Sequence, residues 1–363
     1  MKKVMIISNV SDALDFRREL IEKLTRKYDV TIVCEDERYI PQYKTIGCGY
    51  IKSKSSQHGT NPLQELETVS DYKRILRENH PDLVITYTIK PNIYGGIACA
   101  SQGVPYIANV TGLSEAIISG GLLSKVLLLL YRYGLRKASK VIFQNNSTSE
   151  LFRSNLIIKD NAITVAGSGV NLQEHPFEEY PEESDELVFL SLGRIIKAKG
   201  IDELLGAAER IKTKYPYARF KLLGTIHENY DSKIDEAVKA GTVEFEGQQT
   251  DVQFYLRNSH ATIHASYHEG MSNALLETAS AGRPILASAI PGCQETFDEG
   301  VSGIGFRPKD EDDLVRAIEQ FIQLSYGVKR NMGIAGRQKM EREFDRNKVT
   351  QTHLDVIESI IGG

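Results

Sequence analysis

Short runs of aliphatic and β-branched residues alternate with longer segments of mixed polarity along this chain. In the N-terminal half the runs are VMIIS, VTIVC, LVITY, YIANV and KVIFQ; in the C-terminal half LVFLSL, FKLLG, VEFEG, ATIHA and PILAS repeat the arrangement. Apolar runs of this length, separated by helical segments, predict buried parallel strands with crossover helices. The expected class is therefore α/β, with one doubly wound sheet in each half. From about Gly167 to Glu186 the pattern stops, and Pro176, Pro181 and many acidic residues form a poor element former, read as a linker. The C-terminal segment from Lys348 to Ile361 carries Val349, Leu354, Ile357 and Ile361 at helical spacing.

One segment differs from the rest. Leu122 to Lys140 contains Leu122, Leu123, Val126, Leu127, Leu128, Leu129 and Leu130, with Lys125, Arg132, Arg136, Lys137 and Lys140 around them. Its apolar run is too short to span a bilayer. Two readings stand: a helix packed between strands, or a basic amphipathic helix lying on an anionic membrane surface.

Composition narrows the class. At 363 residues, 41% hydrophobic and 25% charged, the chain has room for two globular domains. A net charge of −4 argues against general nucleic-acid binding. Cys34, Cys48, Cys99 and Cys293 have no metal-type spacing and read as free thiols in a reducing compartment. MKKVMIISNV has too short an apolar run for a signal peptide, with Asp12, Asp15 and Arg17 following, and reads as a first strand.

The chemistry concentrates in two places. Arg194 and Lys199 lie in GRIIKAKG, straight after LVFLSL; Glu269 and Glu277 bracket EGMSNALLE, straight after ATIHA. Two cations suit a diphosphate, and carboxylates accept hydrogen bonds from a polyol. A nucleotide sugar has both parts. Gly270 would allow a tight turn, and Ser272 would cap a helix to Ala281 that Gly282 and Pro284 stop. The start of that helix would be an anion site. Glu277 would lie about 7 Å along its axis, near a ribose.

With these residues in this order, the chain resembles the retaining glycosyltransferases of family 4. The stretch GQQTDVQFYLRNSHATIHASYHEGMSNALLETASAGRPILAS is similar to their donor domain. TIKPNIYGG and IANVTGL resemble a subgroup acting on bacterial surface polysaccharides and lipid-linked oligosaccharides. The resemblance implies the GT-B fold, two Rossmann-like doubly wound domains facing across a cleft. Residues 1–168 would bind the acceptor, 169–346 the nucleotide sugar, and a helix in 347–363 would return to the first domain. It also implies a retaining, metal-independent transfer of a hexosyl or N-acetylhexosaminyl unit from a UDP-sugar, with no further cofactor. The acceptor would be a saccharide on a polyprenyl diphosphate, and the location cytoplasmic, peripheral on the inner membrane face if the basic helix docks there.

The resemblance assigns Arg194, Lys199 and the helix start at Gly270, Met271, Ser272 and Asn273 to the diphosphate. Glu269 would meet the sugar, with His268 beside it, and Glu277 the ribose; backbone at Gly247 and Gln248 would hold the base. Arg194→Ala or Lys199→Ala would each be expected to spare the fold. In the first half, loops after strands predict Lys90, Asn92 and Thr111 as polar contacts and Arg17 as a contact to an acceptor phosphate. For Asn92 and Thr111 the alternative is that they satisfy turns and caps. The first loop, Ser8-Asn9-Val10-Ser11, lacks the glycines common in the family, and Ser11 is expected to cap the next helix. Glu295 is expected to hold a loop, and His264 with His268 does not read as a zinc pair. Two rivals are a nucleotide-sugar 2-epimerase on the same fold and a catalytically silent partner. The presence of all four charged residues argues against the second.

Overall fold

The computed structural model describes residues 1–55 and 61–362, which divide into two compact units: those up to 168 together with 347–362, and 169–346. The first holds seven strands: β1 (Lys3–Ile7), β2 (Asp29–Cys34), β3 (Gly49–Lys52), β4 (Leu83–Tyr87), β5 (Tyr106–Val110), β6 (Lys140–Phe143) and β7 (Ala162–Thr164). They lie in the order β3-β2-β1-β4-β5-β6-β7, with every pairing parallel. Alternation along β1 sends Val4 and Ile6 into one core and Met5 and Ile7 into the other. The helix Arg346–Ile361 closes the first of these cores with Val349, Leu354, Val356, Ile357 and Ile361.

The second unit holds β8 (Leu187–Leu192), β9 (Ala218–Leu223), β10 (Glu244–Gly247), β11 (Ala261–His264), β12 (Ile285–Ser288) and β13 (Gly303–Phe306). Their order is β10-β9-β8-β11-β12-β13, again parallel throughout. Leu187 and Phe189 face one core; Leu190 and Leu192 face the other. The expected linker forms no helix or strand over residues 171–186, yet part of it is fastened. Arg283, fully buried, donates to the carbonyls of Glu178 (2.9 Å), Glu179 (2.7 Å) and Leu256 (2.8 Å). All four cysteines are buried and free.

Strand order reverses beside β8 in this sheet, where β8 lies between β9 and β11. The loops leaving the carboxyl ends of β8 and β11 are therefore neighbours, and such a switch point is where open α/β sheets bind ligands. Arg194 and Lys199 belong to the first loop and Glu269 to the second.

Candidate functional site

The two loops are stitched together. Tyr267 N–H donates to Ala198 O (2.9 Å), and the Tyr267 hydroxyl donates to Glu203 (2.8 Å) on the helix Ile201–Lys214. Gly200, at φ 68°, lies so close to Ala265 that a Cβ would fall 2.1 Å from the Ala265 carbonyl oxygen. Only glycine serves there. This close approach brings Lys199 Nζ into an ion pair with Glu269 Oε1.

Glu269 Oε1 collects further donors. His264 Nε2 lies 2.9 Å away and Ser266 Oγ donates at 2.8 Å. An ionised carboxylate only accepts, so His264 carries its proton on Nε2. Burial works against the charge, yet the His264 hydrogen bond and Lys199 hold the Glu269 carboxyl well below the usual carboxylate range. Burial also lowers the His264 imidazole, keeping it neutral. Among the described residues these three partners all bind Oε1.

Glu277 has the opposite setting. It occupies the second turn of the helix Asn273–Ser280, and burial pushes its carboxyl up to about 7, with Arg346 opposing and Glu174 adding to the rise. Its neighbour His175 lies 4.0 Å away, beyond hydrogen-bond range. Burial lowers His175 to about 4, so no imidazolium stands beside the carboxyl at neutral pH. The Nδ1 of His175 is buried without a hydrogen-bond partner among the described residues. Ser280 Oγ (2.6 Å) and Arg337 (3.1 Å) donate to the His175 carbonyl and fix this residue to the helix end.

The helix start departs from expectation in two ways. Ser272 sits at the N-cap, but its side chain makes no capping bond; its Oγ lies 3.2 Å from His264 Nε2. The first-turn N–H groups are therefore not consumed by that hydroxyl. Gly270 is not left-handed; the left-handed glycine packed against this turn is Gly292 (φ 82°), in the loop after β12, where a Cβ would fall 2.7 Å from the Gly270 carbonyl oxygen. Glu295 accepts from Gly292 N–H at 2.7 Å, the loop-holding role expected of it. Met271 and Ser272 are buried, Asn273 and His268 half-buried. Arg194 is exposed, with no side-chain partner among the described residues. Gly247 (φ 67°) accepts from Gly224 N–H at 2.8 Å, and Gln248 is exposed.

In the first unit several expected contacts are committed inward. Asn92 is 1% exposed, accepts from Thr86 Oγ1 (2.6 Å) and donates to Asn109 O (2.8 Å). It ties strand ends together, which corrects the ligand reading. Arg17 is also buried: it donates to Phe16 O (3.0 Å) and to the amide oxygen of Gln144 (2.7 Å), with Tyr87 beneath it at 5.7 Å. A phosphate contact from Arg17 is corrected on the same ground. Gln144 in turn donates to Thr111 O (2.8 Å), so the half-buried Thr111 is held through its backbone. Lys90 pairs with Glu65 Oε1 at 2.8 Å. Ser11 Oγ donates to Asp36 Oδ2 (2.9 Å) and does not cap the following turn.

The family model for "Glycosyl transferases group 1" matches residues 173–339, and that for "Glycosyl transferase 4-like" matches residues 3–145. The chain is a GT-B glycosyltransferase of the family 4 type. It is 27% identical, over 95% of each chain, to the N,N'-diacetylbacillosaminyl-diphospho-undecaprenol alpha-1,3-N-acetylgalactosaminyltransferase of Campylobacter jejuni. It is 24% identical, over 94% of its own length and 93% of the relative's, to the capsular polysaccharide biosynthesis glycosyltransferase CapM of Staphylococcus aureus. Among solved structures, Anabaena HepE in complex with UDP and glucose superposes with a TM-score of 0.80 at 16% identity, covering 99% of this chain and all of that one.

Sequence reasoning missed two histidines of this glycosyltransferase. His264 had a signal: Thr262, His264 and Ser266 alternate on one face of an otherwise apolar run, a polar stripe at strand period. Thr262 meets Thr278 (3.1 Å) there, and His264 and Ser266 meet Glu269. His175 had none, because it lies in the linker and reaches Glu277 only through the fold. Among the described residues no group of three or more His, Cys, Asp or Glu side chains is disposed to hold a metal ion.

Proposed function

We propose that this glycosyltransferase moves a hexosyl or N-acetylhexosaminyl unit from a UDP-sugar, with retention of configuration and without a metal, onto a saccharide carried by a polyprenyl diphosphate. The observation that carries the reading is the pair of carboxyls in unlike settings on either side of a helix start: Glu269 ionised beside Lys199, and Glu277 half-buried in the helix's second turn with its carboxyl raised. Arg194, Lys199 and the N–H groups of Met271 and Asn273 would bind the diphosphate, the Ser272 N–H being taken by the Gly292 carbonyl at 2.8 Å. Glu269 Oε2 would accept from sugar hydroxyls, Glu277 from the ribose diol, and backbone at Gly247 and Gln248 would pack against the base.

The anomeric carbon–oxygen bond to the diphosphate breaks, and the acceptor oxygen bonds to that carbon on the same face. The acceptor's proton passes to the departing phosphate oxygen. Cations aimed at the charge that develops on the diphosphate lower the barrier because they are in place before reaction. The activity that the Campylobacter relative is named for, on an undecaprenol-linked saccharide, supports a lipid-linked acceptor, and such an acceptor would place the enzyme at a membrane face, which we take to be the cytoplasmic one. No cofactor beyond the donor is required by this scheme.

The test is product stereochemistry by NMR with an α-linked UDP-sugar and a synthetic polyprenyl-diphosphate saccharide, run with and without EDTA. An α-linked product, formed equally with EDTA, is expected. A β-linked product would overturn retention, and loss of activity with EDTA would overturn metal independence.

A further inference from the structure

In the helix Gly121–Leu135, Leu122 (80% exposed), Val126, Leu129 (64% exposed) and Tyr133 all face outward. Their spacing of four, three and four residues forms one stripe, about 16 Å long at 1.5 Å per residue. The buried residues Ser124, Tyr131, Gly134 and Leu135 lie on the other side of the helix, at about 100° per residue. That side is tightly packed: a Cβ on Gly134 would fall 2.8 Å from the Ile93 carbonyl oxygen, and the Tyr106 hydroxyl donates to Gly134 O at 2.6 Å. The outward stripe is therefore surplus to the core.

Exposed Leu123 and Ile118 extend this apolar edge across the left-handed turn at Gly120 and Gly121 (φ 76° and 84°). Lys125, Arg132, Arg136 and Lys137 are exposed around it. From residue 116 to residue 149 there is no Asp or Glu, against five Lys and Arg. The net charge of −4 minus this +5 leaves −9 for the rest of the chain. An apolar stripe edged by cations, on an otherwise acidic protein, complements an anionic bilayer surface. No helix of the described residues is long and apolar enough to cross a membrane, so the contact would be interfacial.

We propose that the Ile118–Tyr133 face is the membrane-docking surface, seated on anionic lipid with its leucines in the headgroup boundary and its cations among the phosphates. The helix and the turn before it are tied to the loop after β5: Ile117 N–H donates to Ser114 O (2.9 Å) and Ser124 Oγ donates to Ile117 O (3.0 Å). Resting on the acceptor reading above, docking would deliver a bilayer-anchored acceptor beside residues 111–114.

Cosedimentation of the full chain with phosphatidylglycerol–phosphatidylcholine vesicles, and with pure phosphatidylcholine, tests this. Binding should need the anionic lipid and weaken with salt. Lys125→Glu, Arg132→Glu and Arg136→Glu together should lower the partition coefficient on the order of 100-fold or more; Lys137 is left in place because it reaches Ala100 O (3.5 Å). Leu122→Ser with Leu129→Ser should abolish binding even at low salt. Both variants should keep the wild-type melting temperature and UDP affinity. Equal binding to neutral vesicles, unaltered binding by either variant, or a concentration-dependent dimer that the serine variant dissolves would overturn the surface assignment. Docking with turnover of soluble acceptors alone would leave it standing and overturn only the lipid-linked acceptor.

Discussion

Glu269 and Glu277 lie eight positions apart on one loop and helix, yet their surroundings drive them in opposite directions. Glu269 is 14% exposed in its side chain and Glu277 20%, so burial alone does not separate them. Company does. Glu269 has a lysine, a neutral imidazole N–H and a hydroxyl on one oxygen, and stays ionised. Glu277 has an imidazole that is itself kept neutral and too distant to bond, and its carboxyl rises to about 7. Two copies of the same side chain thus become a fixed anion and a group that titrates near neutrality, and the roles proposed for them, sugar and ribose, call on that difference.

The largest effect should come from removing the partner of the fixed anion. Lys199→Met leaves the Glu269 carboxylate desolvated without its cation, and should cost about 3 kcal/mol in stability by urea unfolding. The fold is still expected to survive, at reduced stability, because the ion pair ties two loops together. Glu269→Gln in the same background should recover most of the loss, a coupling read from the double-mutant cycle. A loss under about 1 kcal/mol would place the pair with ordinary surface salt bridges and dissolve the contrast.

The titrating carboxyl should show the reverse sign. Its proton is held more tightly in the folded chain, so its contribution is fully present below about pH 4.5 and is lost as pH rises through about 7. Moving the carboxyl from 4.5 to about 7 makes the charged form cost about 3 kcal/mol on folding. Glu277→Gln should therefore match wild type at pH 5 and be the more stable protein, by about 2–3 kcal/mol, at pH 9. Parallel stability–pH curves for the two proteins between pH 5 and 9 would mean Glu277 is ionised like Glu269.

How much of this could be read from the chain depends on distance along it. Arg194, Lys199, Glu269 and Glu277 announce themselves because each pair is local and follows an apolar strand. The strands β3, β7 and β13 were not foreseen: GYIK and AIT are half-exposed edge strands, and GIGF carries two glycines. The protonation contrast was illegible for another reason. It is set by Lys199 and His264 around Glu269, and by burial around Glu277 with Arg346 and Glu174 acting across it, and Glu174 and its neighbour His175 reach Glu277 from about a hundred residues away. Likewise Asn92 and Arg17 follow strands, as ligand residues do, but burial and inward hydrogen bonds decide their role, and sequence position says nothing of either.

A smaller effect separates the two cations. Arg194 is exposed and unpartnered among the described residues, where Lys199 is tied to Glu269. Arg194→Ala should change unfolding free energy by no more than about 0.5 kcal/mol. Catalytic efficiency should fall roughly 10- to 150-fold, the loss of one charge-assisted contact. Unchanged turnover would remove Arg194 from the donor site, and a falling melting temperature would show that it, too, is structural.

The smallest expected signal is the most specific to the comparison. A ribose diol donates its hydroxyls to a carboxylate, so UDP should favour the ionised form of Glu277 and drive off the proton it carries near pH 7. With the carboxyl at about 7, half the molecules are protonated at that pH, and binding should release up to about half a proton. Calorimetry of UDP binding in two buffers of different ionisation enthalpy measures this directly. Glu277→Gln should abolish the release and weaken UDP roughly tenfold, the scale of one lost hydrogen bond. Glu269→Gln should leave both the proton count and UDP affinity as in wild type, because its carboxyl is already ionised and its proposed partner is the transferred sugar rather than UDP. If proton release persists in Glu277→Gln, some other group titrates on binding; if Glu269→Gln removes it, the two carboxyls have exchanged roles.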